Sequence, residues 1–279
     1  EPAAMLFALS DCENFFVVSP CHKVDTLSRF AILFGVSIAL LPILAIADLI
    51  VARRFVKPYF VLHVLVNSCV VITGIRDSLS ALANPTASNT CGEGMECATF
   101  LPLCLNMALH LYHPLAFSLN AMDWQHHIPN YVSTAIAFAF LWGPNVNLTC
   151  LILTGIPGGI DYFLLVLVYQ GWLSRFSYKV MSADINIYLR APAAAITGYI
   201  GLVSLYNQLS ITSAAQVAAT IFINLHSFWN GPFFMRQTVE ALVVETVNTY
   251  ALSGGTEKET ALSLGRVQKL YKKKPKYSK

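Results

Sequence analysis

The sequence predicts an all-α fold, a polytopic transmembrane helix bundle of about seven spans (six to eight). Three observations predict it. The 279-residue chain is 56% hydrophobic and only 12% charged, about half the charged fraction of an ordinary soluble domain. Its mean hydropathy is +0.57. Its apolar residues fall into runs close to the roughly 20 residues that cross a bilayer as a helix.

The first run, 30–51, reads FAILFGVSIALLPILAIADLIV. The second, 58–75, carries His63, and the third, 97–119, reads CATFLPLCLNMALHLYHPLAFSL. The fourth is 128–142. The fifth, 146–173, is too long for one straight helix and is expected to break at IPGG, 156–159. The sixth is 185–206 and the seventh 214–234. MRQTVEALVVETVNTYAL follows as an amphipathic helix leaving the membrane. The chain therefore divides into an extramembrane segment 1–29, a helical domain 30–234, and a helix with a basic tail, 235–279. That tail, KLYKKKPKYSK, suits water or acidic headgroups. No basic folded face for nucleic acid is present in the pattern.

Lys and Arg in short loops set orientation. With ARRFVK on one side, alternation brings Arg175, Lys179, Arg236 and the basic tail to that same side, the cytosol, matrix or stroma of an organellar or endomembrane system. The N-terminus and the loop 76–96 then lie on the opposite, oxidising side. Cys12, Cys21, Cys91 and Cys97 fall there, so disulfides among them are expected, with CGEGMEC short enough to close on itself. Cys69, Cys104 and Cys150 read as apolar packing residues. NLT at Asn147 matches a glycosylation acceptor but sits against the bilayer.

Ionisable groups inside spans are costly and need partners or a polar cavity. The candidates are Asp48, His63, His110, His113, Asp123, His126, His127, Asp161, Arg190 and His226. His110 and His113, three apart, share a helical face, and Asp123 lies one turn before His126 and His127. Most fall in one half of the membrane. Three readings compete. H-x-x-H with D-x-x-H-H could ligate a metal through His110, His113 and His126. Membrane di-iron hydroxylases and desaturases use more histidines than the seven available, however, so no metal ligand is assigned. A His–His or Asp–His pair could do acid–base chemistry, with His126, His127 and Asp123 as catalytic residues. Or the groups bind neighbouring helices and headgroups. Adjacent helical residues diverge by about 100°. His127 is accordingly expected against Asp123, and His126 against His110 or His113. Arg190 is expected to pair with Asp161 or Asp123. GIPGGID could line a cavity or be a packing kink, and LHSFWNGPFF could hold a lipid tail or form an interfacial belt.

DWQHHI, preceded by LYHPLAF, resembles the TLC-domain family of polytopic lipid proteins, which includes ceramide synthases. The resemblance covers 58–234: His126 and His127, then Asp161 in PGGIDYFLLVL, then Arg190 in IYLRAP. The acidic D-x-x-L-x-x-x-E motif of ceramide synthases is absent. The elongase family is similar too, with H-x-x-H-H where position 123 here is Asp. The resemblance implies lipid binding or lipid modification, by acyl-transfer or hydroxylase-like chemistry if an enzyme. It makes His110, His113, Asp161 and Arg190 binding residues, with bound membrane lipids as the ligands. A non-catalytic subunit of a respiratory or photosynthetic complex, beside other integral membrane subunits, is the alternative. A transporter or channel subunit comes third, because the side opposite the basic loops shows no matching charges.

Overall fold

The computed structural model describes residues 25–89, 98–141 and 143–252, and every regular element among them is helical. Asp25 caps α1 (Thr26–Ala39), its carboxylate accepting from the Leu27 and Ser28 amides at 3.0 Å each. The Ser28 hydroxyl and then the Ser28 amide hold that carboxyl below the usual range. The cap is therefore lost as pH falls through the lowered value. Pro42 lacks the N–H that would extend the ladder, and it separates α1 from α2 (Leu41–Ile50). Next come α3 (Pro58–Ala83), α4 (Leu101–Ala116), α5 (Ala121–Phe140) and α6 (Asn145–Cys150). A π turn, Leu151–Gly155, joins α6 to α7 (Ile156–Tyr169). A second, Ile185–Arg190, joins α8 (Arg175–Asp184) to α9 (Ala191–Gln208), and α10 (Ala214–Leu252) closes the described chain.

Read through the kink and the π turns, these elements make seven helical runs. Three of them are long and apolar enough to cross a membrane: Thr26–Arg54, Pro58–Ala83 and Asn145–Tyr169. Several boundaries differ from the sequence expectation; the fourth run starts at Ala121 rather than Ile128, and the sixth at Arg175 rather than Ile185. The chain does not break at IPGG. A proline N–H is missing and its ring crowds the carbonyl four residues back, and the turn before Pro157 widens to π geometry, with Ile156 N bonding Leu151 O. Pro192 follows the second π turn in the same way. The second run extends to Ala83 rather than 75, so Asp77 lies inside it. The seventh continues through 252, where the Arg175–Glu245 ion pair (3.2 Å) ties its far half to α8.

α3 stands in the centre, packed against α4, α6 and α7, while α1 and α2 lie outside against α4 and α5. Arg29 fastens α1 there. It donates to the Leu141 carbonyl at 2.7 Å, at the end of α5, and lies over the Phe100 ring. Carbonyls in a last helical turn lack intrahelical donors, which makes them natural cation acceptors. The interior is polar for so apolar a chain: Asn67, Asn106, Asn147, Asn186 and Asn224 are all buried, whereas Ile43, Leu49, Ile72, Phe163, Tyr199 and Leu225 are exposed. At the end of the bundle away from the basic loops, Asp77 accepts from Thr99 N (2.7 Å) and Asn147 Nδ2 (2.6 Å). That end thus holds a buried acid, which the sequence reading placed in a loop. The glycosylation motif at Asn147 is fully enclosed. Cys104 and Cys150 are buried and unbridged, but Cys69 is exposed. Cys12, Cys21, Cys91, Cys97 and the basic tail lie outside the described residues.

α9 and α10 form the most extensive helix pair. Small residues set their approach: a Cβ on Gly231 would stand 2.8 Å from the Ala191 Cα, and one on Gly198 2.8 Å from the Phe228 ring. Gly35, by contrast, faces open space. Gly231→Ala is expected to destabilise by about 1–3 kcal/mol through overpacking. Gly35→Ala should be neutral or stabilising, since glycine costs about 1 kcal/mol against alanine within a helix. The unfolding temperature in detergent should fall clearly for Gly231→Ala and hold or rise for Gly35→Ala, and equal shifts would contradict this packing.

Candidate functional site

Five histidines from three helices converge: His63 on α3, His110 and His113 on α4, His126 and His127 on α5. Ring centroids are 4.3 Å apart for His63–His113, 4.8 Å for His110–His127, 4.5 Å for His126–His127 and 5.3 Å for His113–His127. Tyr59 lies 4.4 Å from His113, and Tyr162 stacks on His63 at 3.7 Å.

Local backbone bonds fix the tautomers. His63 Nδ1 meets the Tyr59 carbonyl at 2.9 Å, His110 Nδ1 the Asn106 carbonyl at 2.8 Å, and His127 Nδ1 the Asp123 carbonyl at 2.8 Å. A carbonyl oxygen only accepts, so each Nδ1 carries the proton and each neutral ring keeps a bare lone pair on Nε2. His127 Nε2 in turn accepts from His113 Nδ1 at 3.1 Å. His113 Nε2 is then buried without a hydrogen-bond partner among the described residues. The Nε2 and Nδ1 atoms available on His110, His126 and His127 include one from each ring within 4.8 Å of the others. This trio could hold a metal ion, and it contains His127 where the sequence pattern pointed to His113.

A proline supports the cluster from behind. Pro114 has no N–H to give to the carbonyl four residues earlier, that of His110. The Tyr131 hydroxyl donates to that carbonyl instead, at 2.6 Å. This bond crosses from α5 to α4 and holds the two histidine-bearing helices together.

The cluster borders a cavity lined by α3, α4, α5, α7, α10 and the two π turns, with no residue of α1 or α2 in its wall. It encloses about 940 Å³ of atom-free space, part of it open to the outside, of which about 150 Å³ is reachable by the centre of a water molecule. His63, Asn67, His110, His126 and Asn130 form one side, and Asp161, Tyr162, Asn186 and Arg190 another. Trp229, Phe233 and Phe234 of α10 supply an aromatic wall. A smaller cavity, about 50 Å³ by the same water-centre measure, continues past Asn130 and His226 toward Asn106 and Thr134. There His226 Nδ1 meets the Ser133 hydroxyl at 2.8 Å, and Asn106 Nδ2 donates to Asn130 Oδ1 at 2.8 Å.

The histidines, acids and arginine expected from sequence lie among the described residues. His126 and His110 face the cavity, and His113 and His127 lie behind them. Asp123 does not orient a histidine through its carboxylate. Its Oδ2 accepts from the Asn120 amide (2.9 Å) while Asn120 Oδ1 accepts from the Asp123 amide (3.1 Å), a reciprocal cap that starts α5. His127 is held by the Asp123 backbone instead. Arg190 is not paired with Asp161 or Asp123. Its Nη1 donates to Asn186 Oδ1 (2.9 Å), and its guanidinium lies 4.7 Å over Phe234. Asp161 is taken up by the Ser182 and Tyr178 hydroxyls. Sequence reasoning missed Tyr59, Asn67, Tyr162 and Asn186. Of these, only Asn186, one turn before Arg190, left a readable signal. No protein-family model, curated protein or solved structure matches the chain.

Tyr131→Phe is expected to cost about 1–3 kcal/mol, since it orphans a buried carbonyl. In a Pro114→Ala background the alanine N–H can serve that carbonyl, and the same change should cost clearly less. A double-mutant cycle by thermal or denaturant unfolding reads the coupling. Strict additivity would show that the Tyr131 bond does not replace the one Pro114 removes.

Proposed function

We propose that this chain is an integral membrane protein that takes the polar end of an amphipathic lipid into its central cavity, where histidines meet the head group and are placed to move protons on it. One observation carries the reading: within a helical bundle whose outer residues are apolar, the cavity sets imidazoles, an acid and an arginine against an aromatic wall. Such a site suits a ligand with both a polar and an apolar part. Size refines the class. A void of about 10–15 Å³ by this measure holds one water, so the cavity admits on the order of ten water-sized groups. That is a head group and the start of a chain, with the remaining tail leaving through the mouth.

The membrane setting is part of the proposal. Seven runs crossing the bilayer would put the two ends of the described chain on opposite sides. The loops next to the histidines carry Arg53, Arg54, Lys57 and Arg175. By the positive-inside rule this end faces cytosol, matrix or stroma, and the head group then enters from that side. The resemblance to TLC-domain proteins supports lipid as the ligand class.

The chain is expected to keep a lipid through detergent exchange, visible as a mass increment by native mass spectrometry. Phe233→Asp puts an acid on the aromatic wall and should cut occupancy at least tenfold, which corresponds to about 1.4 kcal/mol. Ile43→Ala, on the outer surface, should leave it unchanged. Equal occupancy in all three proteins would refute the cavity as the lipid site.

A further inference from the structure

We propose that His110, His126 and His127 form a binding site for a divalent first-row metal ion of the zinc type, with a fourth coordination position open to the cavity. The proposal deepens the lipid reading, since it sets the ion where the head group would lie, but metal binding is measured without lipid.

Four observations carry it. One ligand nitrogen from each ring already lies within 4.8 Å of the others. Ligand atoms about 2.0–2.1 Å from zinc stand about 3.3 Å apart in a tetrahedron. The rings therefore need to close by at most about 1.5 Å, a matter of side-chain rotation. Next, the tautomers are those of ligands. His110 and His127 give their Nδ1 protons to the Asn106 and Asp123 carbonyls, at 2.8 Å each, and so present unprotonated Nε2 atoms. Outer-shell bonds of this kind orient and strengthen metal-bound imidazoles. The donor set is also selective: three imidazoles with no thiolate suit zinc, and not magnesium or calcium. The Asp123 carboxylate, the nearest acid in sequence, is engaged in capping α5. Last, His110 and His126 line the cavity, so an ion on the trio borders open space. Three protein ligands with an open fourth place is the arrangement that lets zinc bind water or a carbonyl oxygen.

The trio has a competitor beside it. His113 Nδ1 donates to His127 Nε2 at 3.1 Å, and this bond occupies the lone pair that the ion would take. His113 is thus a neighbour that metal binding displaces, not a ligand.

The test uses the full chain in detergent, stripped with chelator and titrated with Co2+, then with Zn2+ in competition. One Co2+ per chain is expected, with the visible absorption of a tetrahedral site. His110→Ala and His127→Ala should each weaken Co2+ binding by more than about 100-fold, beyond the 10–100-fold typical of losing an outer-shell partner. His113→Leu removes the competitor and should bind at least as tightly as the parent. A variant lacking Cys12, Cys21 and His22 should also bind as the parent does, which excludes capture by the N-terminal segment. X-ray absorption of the zinc-loaded parent needs no variant, and should show a nitrogen and oxygen shell with about three imidazoles. Absence of stoichiometric binding, a sulfur shell, or affinity unchanged in both alanine variants would overturn the proposal. Phe233→Asp separates the two readings: loss of lipid with metal retained supports both sites, and lipid retention in a chain that binds no metal would overturn the metal site alone.

Discussion

Three of the histidine rings are pinned by a backbone carbonyl one turn back on their own helix, and the rest of the site depends on that arrangement. Tyr59, Asn106 and Asp123 supply the carbonyls. The bond costs no additional partner, because the i−4 carbonyl is always in reach of a helical side chain. It fixes the ring angle and the tautomer together and points a basic nitrogen inward. A buried polar atom without a partner costs about 1–3 kcal/mol, so a cluster of imidazoles in so apolar a bundle persists only if most of its N–H groups are satisfied. Here three of them are satisfied locally, which leaves the Nε2 atoms of His63 and His110 for a ligand, while His127 Nε2 already accepts from His113.

The prolines have a related role. Pro114, Pro157 and Pro192 each remove a backbone donor, and the structure answers these three losses near the cavity. Pro114 releases the His110 carbonyl to Tyr131. Pro157 and Pro192 each follow a π turn, and those turns carry Thr154, Asn186 and Arg190 to the cavity wall. Residues that would weaken a soluble helix are tolerated where neighbouring helices take up the freed groups. In this chain they also shape the space that the helices enclose.

Much of the fold was legible in the sequence because apolar run length survives any detail of packing. The run at Phe30, the run after Pro58 and the long run around IPGG all emerged as helical. Their ends were less legible: nothing in local hydropathy marks that Asp77 stays helical, because its carboxylate takes hydrogen bonds from Thr99 and Asn147 in distant segments. The meeting of α4 and α5 through histidines was legible from spacing, as HLYH and DWQHH put rings on definable faces. The role of Asp123 was not read, although N-x-x-D at Asn120 is a capping signature. The pairing of Arg190 was missed because an opposite charge was sought where an amide one turn away suffices. Tyr162 was not read at all, and Trp229 was read only as part of LHSFWNGPFF, since only the folded bundle places them beside His63 and His226.

The central claim is that the bundle interior is a ligand cavity lined by oriented histidines inside a lipid-facing shell. A cryo-electron-microscopy map of the full chain in lipid nanodiscs tests it most directly. The account predicts elongated density in the cavity, its compact end beside His126 and His110 and its extension along Trp229 and Phe233, with the annular lipid belt against Ile43, Leu49 and Phe163. A cavity closed by collapsed side chains, or a bundle whose outer apolar residues lie in water rather than lipid, would contradict it.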